Sequence, residues 1–196
     1  RQVDVTAIAE CFKPFGGHSK YYLLNKLSLD PYSIHITIGN IVNYFLDEII
    51  TNPDIQFDDV VNEIFQLDPI RFSLMEDSEL KSVIVTLKTH FDNVKRVISE
   101  DFKSIYLDVE KCILEPSFYS PVFGLQGRLD VFHQKKKSNE AAIIELKSGK
   151  LFMPNVYGLN TNHYTQTLLY ELMIRSVYNF DLKPINFILY SALDKT

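Results

Sequence analysis

Residues 141–146 read AAIIEL. A run this short and apolar, preceded by the polar stretch KKKSNE, reads as a strand buried on both faces. It nevertheless carries a carboxylate, Glu145, and Lys147 follows two places on, on the same side of a strand. Asp130 sits inside a second strand-like segment, GLQGRLDVFHQ (124–134). A tight turn at Lys137 and Ser138 would pair Lys136 with Asn139, so that the numbers of paired residues add to 275. Asp130 and Glu145 then stand directly opposite, with Cβ atoms about 4.5–5.5 Å apart. A slip of one residue would send them to different faces.

Ordinary edge charges are the commonplace reading of two strand acids and a lysine. The apolar flanks argue against it here, because a buried carboxylate is expensive unless it is paired or bound to a cation. Two carboxylates that close repel each other unless a cation lies between them. Carboxylate oxygens are also the ligands Mg²⁺ takes while keeping several waters. A metal-bound water is more acidic, and a neighbouring ammonium can stabilise charge growing on a phosphate. Acid, acid, lysine and divalent cation together suit phosphodiester cleavage.

The rest of the chain supplies a setting. Residues 36–50, ITIGNIVNYFLDEII, place Ile38, Ile41, Val42, Phe45, Leu46 and Ile49 at helical spacing. FDDVVNEIFQL (57–67) is a second helix. A third runs over 77–98, with Asp77 or Ser78 as cap and Leu80, Val83, Ile84, Leu87, Phe91, Val94 and Ile98 as its stripe. A Pro/Gly turn and a short helix are expected over 12–27. SIYLDVEKCIL (104–114), 124–134, 140–148 and 184–192 read as strands, and 161–180 as a helix capped by Thr161 or Asn162. This order implies a single α/β domain over 1–196: a mainly helical part, 1–100, and a part holding a mixed sheet and a helix, 101–196. Starting without Met and stopping just after a strand-like run, the chain is expected to be cut from a longer protein.

Composition narrows the partners. With 196 residues, 46% hydrophobic, the chain can build one sizeable core. No apolar run approaches the roughly 18 residues of a membrane span. Cys11 and Cys112 stand too far apart for a zinc or iron–sulfur spacing, and a reducing cytoplasm is the default expectation. The net charge of −5 gives no global case for nucleic-acid binding, so any such case is local.

Three short motifs resemble the PD-(D/E)xK nuclease superfamily, in its RecB-like branch. They are GRLD (Gly127 to Asp130), ELK (Glu145 to Lys147) and QTLLY (Gln166 to Tyr170), in the family's order and spacing across 115–170. The closest look is to the nuclease domains of helicase–nucleases and to related exonucleases of CRISPR adaptation. The resemblance implies a restriction-endonuclease-like mixed sheet flanked by helices, with an N-terminal helical region. It implies Mg²⁺ or Mn²⁺ held by Asp130, Glu145 and the carbonyl of Leu146, with Lys147 acting on water or phosphate. Gln166 and Tyr170, one helical turn apart, would position the catalytic strand or the DNA backbone. The implied partners are DNA, mainly single-stranded, and a helicase domain in the same polypeptide.

Departures from the family are informative. Where its G-x-x-x-H helix carries a metal-binding histidine, this chain has Gly39 and then Asn43. An amide oxygen is a weaker ligand that still suits Mg²⁺ or Mn²⁺, so Asn43 is a doubtful ligand and His18 or His35 a conceivable substitute. Two distant cysteines cannot hold the four-cysteine cluster of some relatives, so no iron–sulfur cluster is expected. Lys150, Lys135 and Lys136 are candidates for phosphate contact, although a solvated turn is the commoner explanation of KKK at 135–137. Tyr119, between Phe118 and Phe123, is a candidate for base stacking, against core packing as the alternative. Glu115 is an outer metal group or a strand-end charge. The rival reading is a catalytically weak module of the same fold that binds DNA or a protein. An RNA-directed member is a third reading, for which the sequence offers no support.

Overall fold

The structure is a computed structural model that describes residues 2–28, 33–134 and 139–193. The supposed turn at Lys137 and Ser138, with Lys135 and Lys136, lies outside the described residues. Described residues fall into two compact units. One gathers the segments 1–32, 111–145 and 151–188; the other gathers 33–110, 146–150 and 189–196.

The first unit opens with β1 (Val3–Asp4), α1 (Val5–Glu10) and α2 (Ser19–Leu27). The Asp4 carboxylate caps α1 by accepting from the Thr6 amide at 2.8 Å, which satisfies one of the helix's orphan donors. A long antiparallel ribbon follows: β2 (Cys112–Leu114), β3 (Ser117–Ser120), β4 (Leu125–Arg128) and β5 (Val131–Gln134). Its pairs Leu114–Val131 and Ser117–Arg128 share one register, adding to 245. The ribbon is therefore one hairpin, interrupted where Glu115 and Pro116 face Leu129 and Asp130. Glu115 takes a positive φ of 47° there. Two bonds span the interruption, from the Glu115 amide to the Asp130 carbonyl at 2.9 Å and from the Leu129 amide to the Pro116 carbonyl at 3.1 Å. On either side the ribbon belongs to a different sheet, β1-β4-β3 or β2-β5-β6-β7.

β6 (Glu140–Lys147), α8 (Thr161–Val177) and β7 (Lys183–Tyr190) complete the second sheet. The Lys183 amide bonds the Asn139 carbonyl and the Ser191 amide bonds the Lys147 carbonyl. Both steps are the same length along the two strands, so β6 and β7 run parallel while β5 and β6 run antiparallel. A helix between parallel strands is the expected connection. The core joins Leu125, Leu129, Phe132, Ala141 and Ile143 of the strands to Tyr170, Met173 and Ile174 of α8.

The second unit is helical: α3 (Ile34–Thr51), α4 (Phe57–Leu67), α5 (Pro69–Ser73), α6 (Asp77–Arg96) and the short α7 (Phe102–Ser104). The apolar stripe of α3 packs on α6. Phe45, Phe57 and Phe91 meet edge to face, with centroids 5.2–6.0 Å apart, the arrangement that ring quadrupoles favour.

The mixed α/β architecture agrees with the sequence reading, with corrections. Residues 104–114 are not one strand: only 112–114 pair, because Tyr106 turns the backbone with a φ of 59° and the Asp108 carboxylate accepts the Glu110 amide. Strand β3, over SFYS, was not expected, and 124–134 is two strands instead of one. The caps of α6 and α8 lie one residue upstream of the expected ones, at Glu76 and Asn160. Ile38, at helical spacing with the buried residues of α3, is only half-buried.

Phe45→Ala should remove the centre of the aromatic trio and lower stability by about 3–5 kcal/mol. The urea midpoint of the far-ultraviolet circular dichroism signal measures it.

Candidate active site

The expected register is present. Val131 pairs with Ile144 and Phe132 with Ile143, and each pair adds to 275. Extended by one residue, it sets Asp130 opposite Glu145. Phe132, Ile143 and Ala141 turn one face toward α8, and Glu145 shares their parity on β6.

Glu145 is buried, 5% exposed, as are Gln166 at 4% and Tyr170 at 1%. The Gln166 amide nitrogen donates to Glu145 Oε1 at 2.7 Å and to the Tyr170 hydroxyl at 3.1 Å. The Tyr170 hydroxyl donates to the Arg128 carbonyl at 2.9 Å. A continuous chain of bonds thus runs from the strand bearing Asp130, through α8, to Glu145. Facing a carboxylate acceptor, the Gln166 amide can only present its nitrogen, which settles its orientation.

Burial raises the Tyr170 phenol pKa, and the nearby charges of Glu145 and, more weakly, Asp130 raise it further against hydrogen bonds from Gln166 and Thr6. Both carboxylates therefore act on one hydroxyl. The phenol stays protonated through the physiological range and remains a donor.

Gly127 shows what the first residue of GRLD is for. A Cβ there would stand 2.8 Å from Tyr170 Cε1 and 3.5 Å from Met173 Cε. The bare backbone lets the ring lie across β4 and reach the Arg128 carbonyl.

Lys147 ends β6, half-buried, two residues beyond Glu145. β6 runs from the first unit into the second after Glu145. Asn43 is half-buried on α3, in the second unit. Its Gly39 stands close to the turn after β6, where a Cβ would touch Ser148 Oγ at 3.4 Å. Lys150 is exposed in that turn. Tyr119 is half-exposed on β3, whereas Phe118 packs against Phe132 at 5.4 Å and so belongs to the core. The Glu115 carboxylate holds the exposed Arg128 guanidinium at 3.2 Å, which makes it a strand-end charge. Among the described residues no three His, Cys, Asp or Glu side chains converge as a metal cluster. His18 and His35 therefore build no such group. Arg128 and Thr6 act at the site without any signal in the sequence, one through its carbonyl and the other from a helix distant along the chain.

The donor set fits a cation of one kind. Two carboxylates that the extended register sets at opposed positions would suit Mg²⁺ or Mn²⁺, which keep several waters, and not a caged ion with many protein ligands.

No protein-family model matches the chain, and no curated protein does. Among solved structures it is similar to a crystal structure from Eubacterium rectale named "Putative exonuclease", at 15% identity and a TM-score of 0.56. The match covers 96% of this chain and 67% of that one. At that identity the likeness is one of fold alone, a mixed α/β arrangement.

Gly127→Ala should push the Tyr170 ring off β4 and cost about 1–3 kcal/mol. The thermal midpoint and the near-ultraviolet tyrosine signal measure it, and Gly127→Ala combined with Tyr170→Leu should recover part of the loss.

Proposed function

We propose that this chain is a metal-dependent DNA nuclease domain of the PD-(D/E)xK superfamily, RecB-like branch, which works within a helicase–nuclease. Its substrates are single-stranded ends or flaps. The observation that carries the reading is the bond from Gln166 to buried Glu145, itself opposite Asp130. A buried acid fixed by an amide, at the position opposite a second acid in the extended register, suits a cation more than packing. The E. rectale structure lends support, because a protein named for exonuclease activity has the same kind of fold.

In this reading Asp130, Glu145 and the Leu146 carbonyl hold Mg²⁺ or Mn²⁺. The cation, when bound, supplies positive charge to the phosphate and a more acidic water. Gln166 keeps the Glu145 carboxylate turned toward Asp130's strand, and Tyr170 ties that strand to α8. Water attacks phosphorus and gives up a proton to solvent, the bond from phosphorus to the leaving oxygen breaks, and that oxygen takes a proton from solvent. Lys147 stabilises the charge that grows on the phosphate oxygens. Lys150 and the exposed Tyr119 are the contacts to DNA in this reading, with Lys135 and Lys136 proposed on sequence alone.

One observation favours the rival binding module. No third charged or imidazole ligand joins the two acids among the described residues, and Asn43 stands where the family's histidine falls.

Lys147→Met decides between them. It keeps the length of the side chain, so the protein should stay folded and bind Mn²⁺ and single-stranded DNA, yet cut at least about a hundredfold more slowly. Equal cutting by wild type and variant would reduce Lys147 to a charge partner. If neither cuts single strand, duplex or flap while both bind DNA alike, the binding module replaces the enzyme. Asp130→Ala should abolish cutting and leave DNA binding intact or tighter, because a charge that repels phosphate is gone. Loss of folding by circular dichroism would instead make Asp130 structural. Asn43→His should lower the Mn²⁺ concentration for half-maximal rate, since imidazole suits transition metals better than an amide oxygen.

A further inference from the structure

The second unit contains a cleft of about 840 Å³, within the size range of small-molecule sites. One wall is the turn Ser148, Gly149 and Lys150, which begins at the residue after Lys147. A second wall is the start of α3, with Ile34 and Ile38, and a third is one face of α6. Ile34 and Ile38 are only half-buried here, although their helix is otherwise amphipathic in the ordinary way. Apolar surface left open in a concave site favours a flat or apolar ligand group.

The polar lining says what else the ligand carries. Ser82, Thr86 and Thr89 follow one another along α6 at helical spacing. The Thr86 and Thr89 hydroxyls donate to backbone carbonyls of their own helix, at 2.9 and 3.0 Å. With their hydrogens engaged, their oxygens are left as acceptors, which suits N–H groups on the edge of a base. Lys150 is the lysine of the lining, and the Ser148 hydroxyl stands beside it in the chain. Together they suit a phosphate. Apolar wall, acceptor row and a cation at one end match a nucleotide.

We propose that this cleft seats one unpaired nucleotide of the bound strand, with its phosphate at Ser148 and Lys150 and its base against Ile38 and the Thr86–Thr89 face. The proposal rests on the nuclease reading and adds to it a place for the strand. A phosphate held at 148–150 lies within a few residues of Lys147 along the chain. An extruded base is the occupant proposed, so single strand should bind in preference to duplex.

The test is fluorescence anisotropy with a short fluorescein-labelled oligothymidine, in EDTA so that the strand survives. Thr86→Trp fills the cleft and should weaken binding about tenfold or more, the scale of one lost base contact. Lys150→Ala, at an exposed position, should weaken binding and lower the slope of log affinity against log salt by about 0.7. Thermal melting checks both folds, and Lys150→Ala stands alone if Thr86→Trp does not fold. If wild type binds and the folded variants bind as tightly with the same slope, the cleft is not the site, and the cleavage result for Lys147→Met stands apart. If wild type binds no oligothymidine, the cleft proposal fails, and cutting assays decide the nuclease reading separately. Thymidine monophosphate binding as tightly as the oligomer would assign the cleft to a free nucleotide and overturn a strand.

Discussion

The 2.7 Å bond from Gln166 to Glu145 is the interaction on which the candidate site depends. A carboxylate 5% exposed is costly in an apolar sheet. The amide offsets part of that cost and fixes where the acid points. Because the same nitrogen also donates to Tyr170, and Tyr170 to the Arg128 carbonyl, the bond to Glu145 is coupled to the backbone just before Asp130. Hydrogen-bond chains of this kind in a low-dielectric interior rigidify their members together. Losing one member would disturb both carboxylates.

The network needs the ribbon to break where it does. Between β4 and β5 the strand leaves one sheet for the other, while two backbone bonds keep its partner strand in register. Asp130 lies at that break, half-buried, and its flanking residues Leu129 and Val131 stay fully buried. Interruptions in antiparallel ribbons re-aim side chains in this manner, which is why they recur beside active sites. Gly127 completes the arrangement. Two residues before the break, a ring crosses the strand so closely that no Cβ could be there.

Much of this was legible in the residues. The helices α3, α4, α6 and α8 follow from apolar spacing, and the pairing of β5 with β6 follows from a short polar turn between two apolar runs. Glu145, Gln166 and Tyr170 are hydrogen-bonded together in the unit that also holds Asp130, and Lys147 ends the strand that carries Glu145. What was misread has a common origin. Spacing predicts no strand over SFYS because its hydrogen-bond partners lie beyond a turn, and 104–114 reads as a strand because its apolar residues hide the turn at Tyr106 and Asp108. Ile38 shares the apolar spacing of α3 yet is only half-buried, because periodicity reports a helix face but not whether something covers it.

The sequence by itself determined that β5 pairs with β6 and in what register, because alternation and turn length are local properties that admit few solutions. It also placed an amide and a phenol one turn apart on a single helix. Only the tertiary structure decided that the amide meets Glu145, that the phenol crosses the strand at Gly127, and that the ribbon breaks at Asp130. It also decided that a cleft opens beside Ile38. Each of these is set by residues far apart in the chain approaching within a few ångströms, and such close packing leaves no periodic trace in the order of the residues.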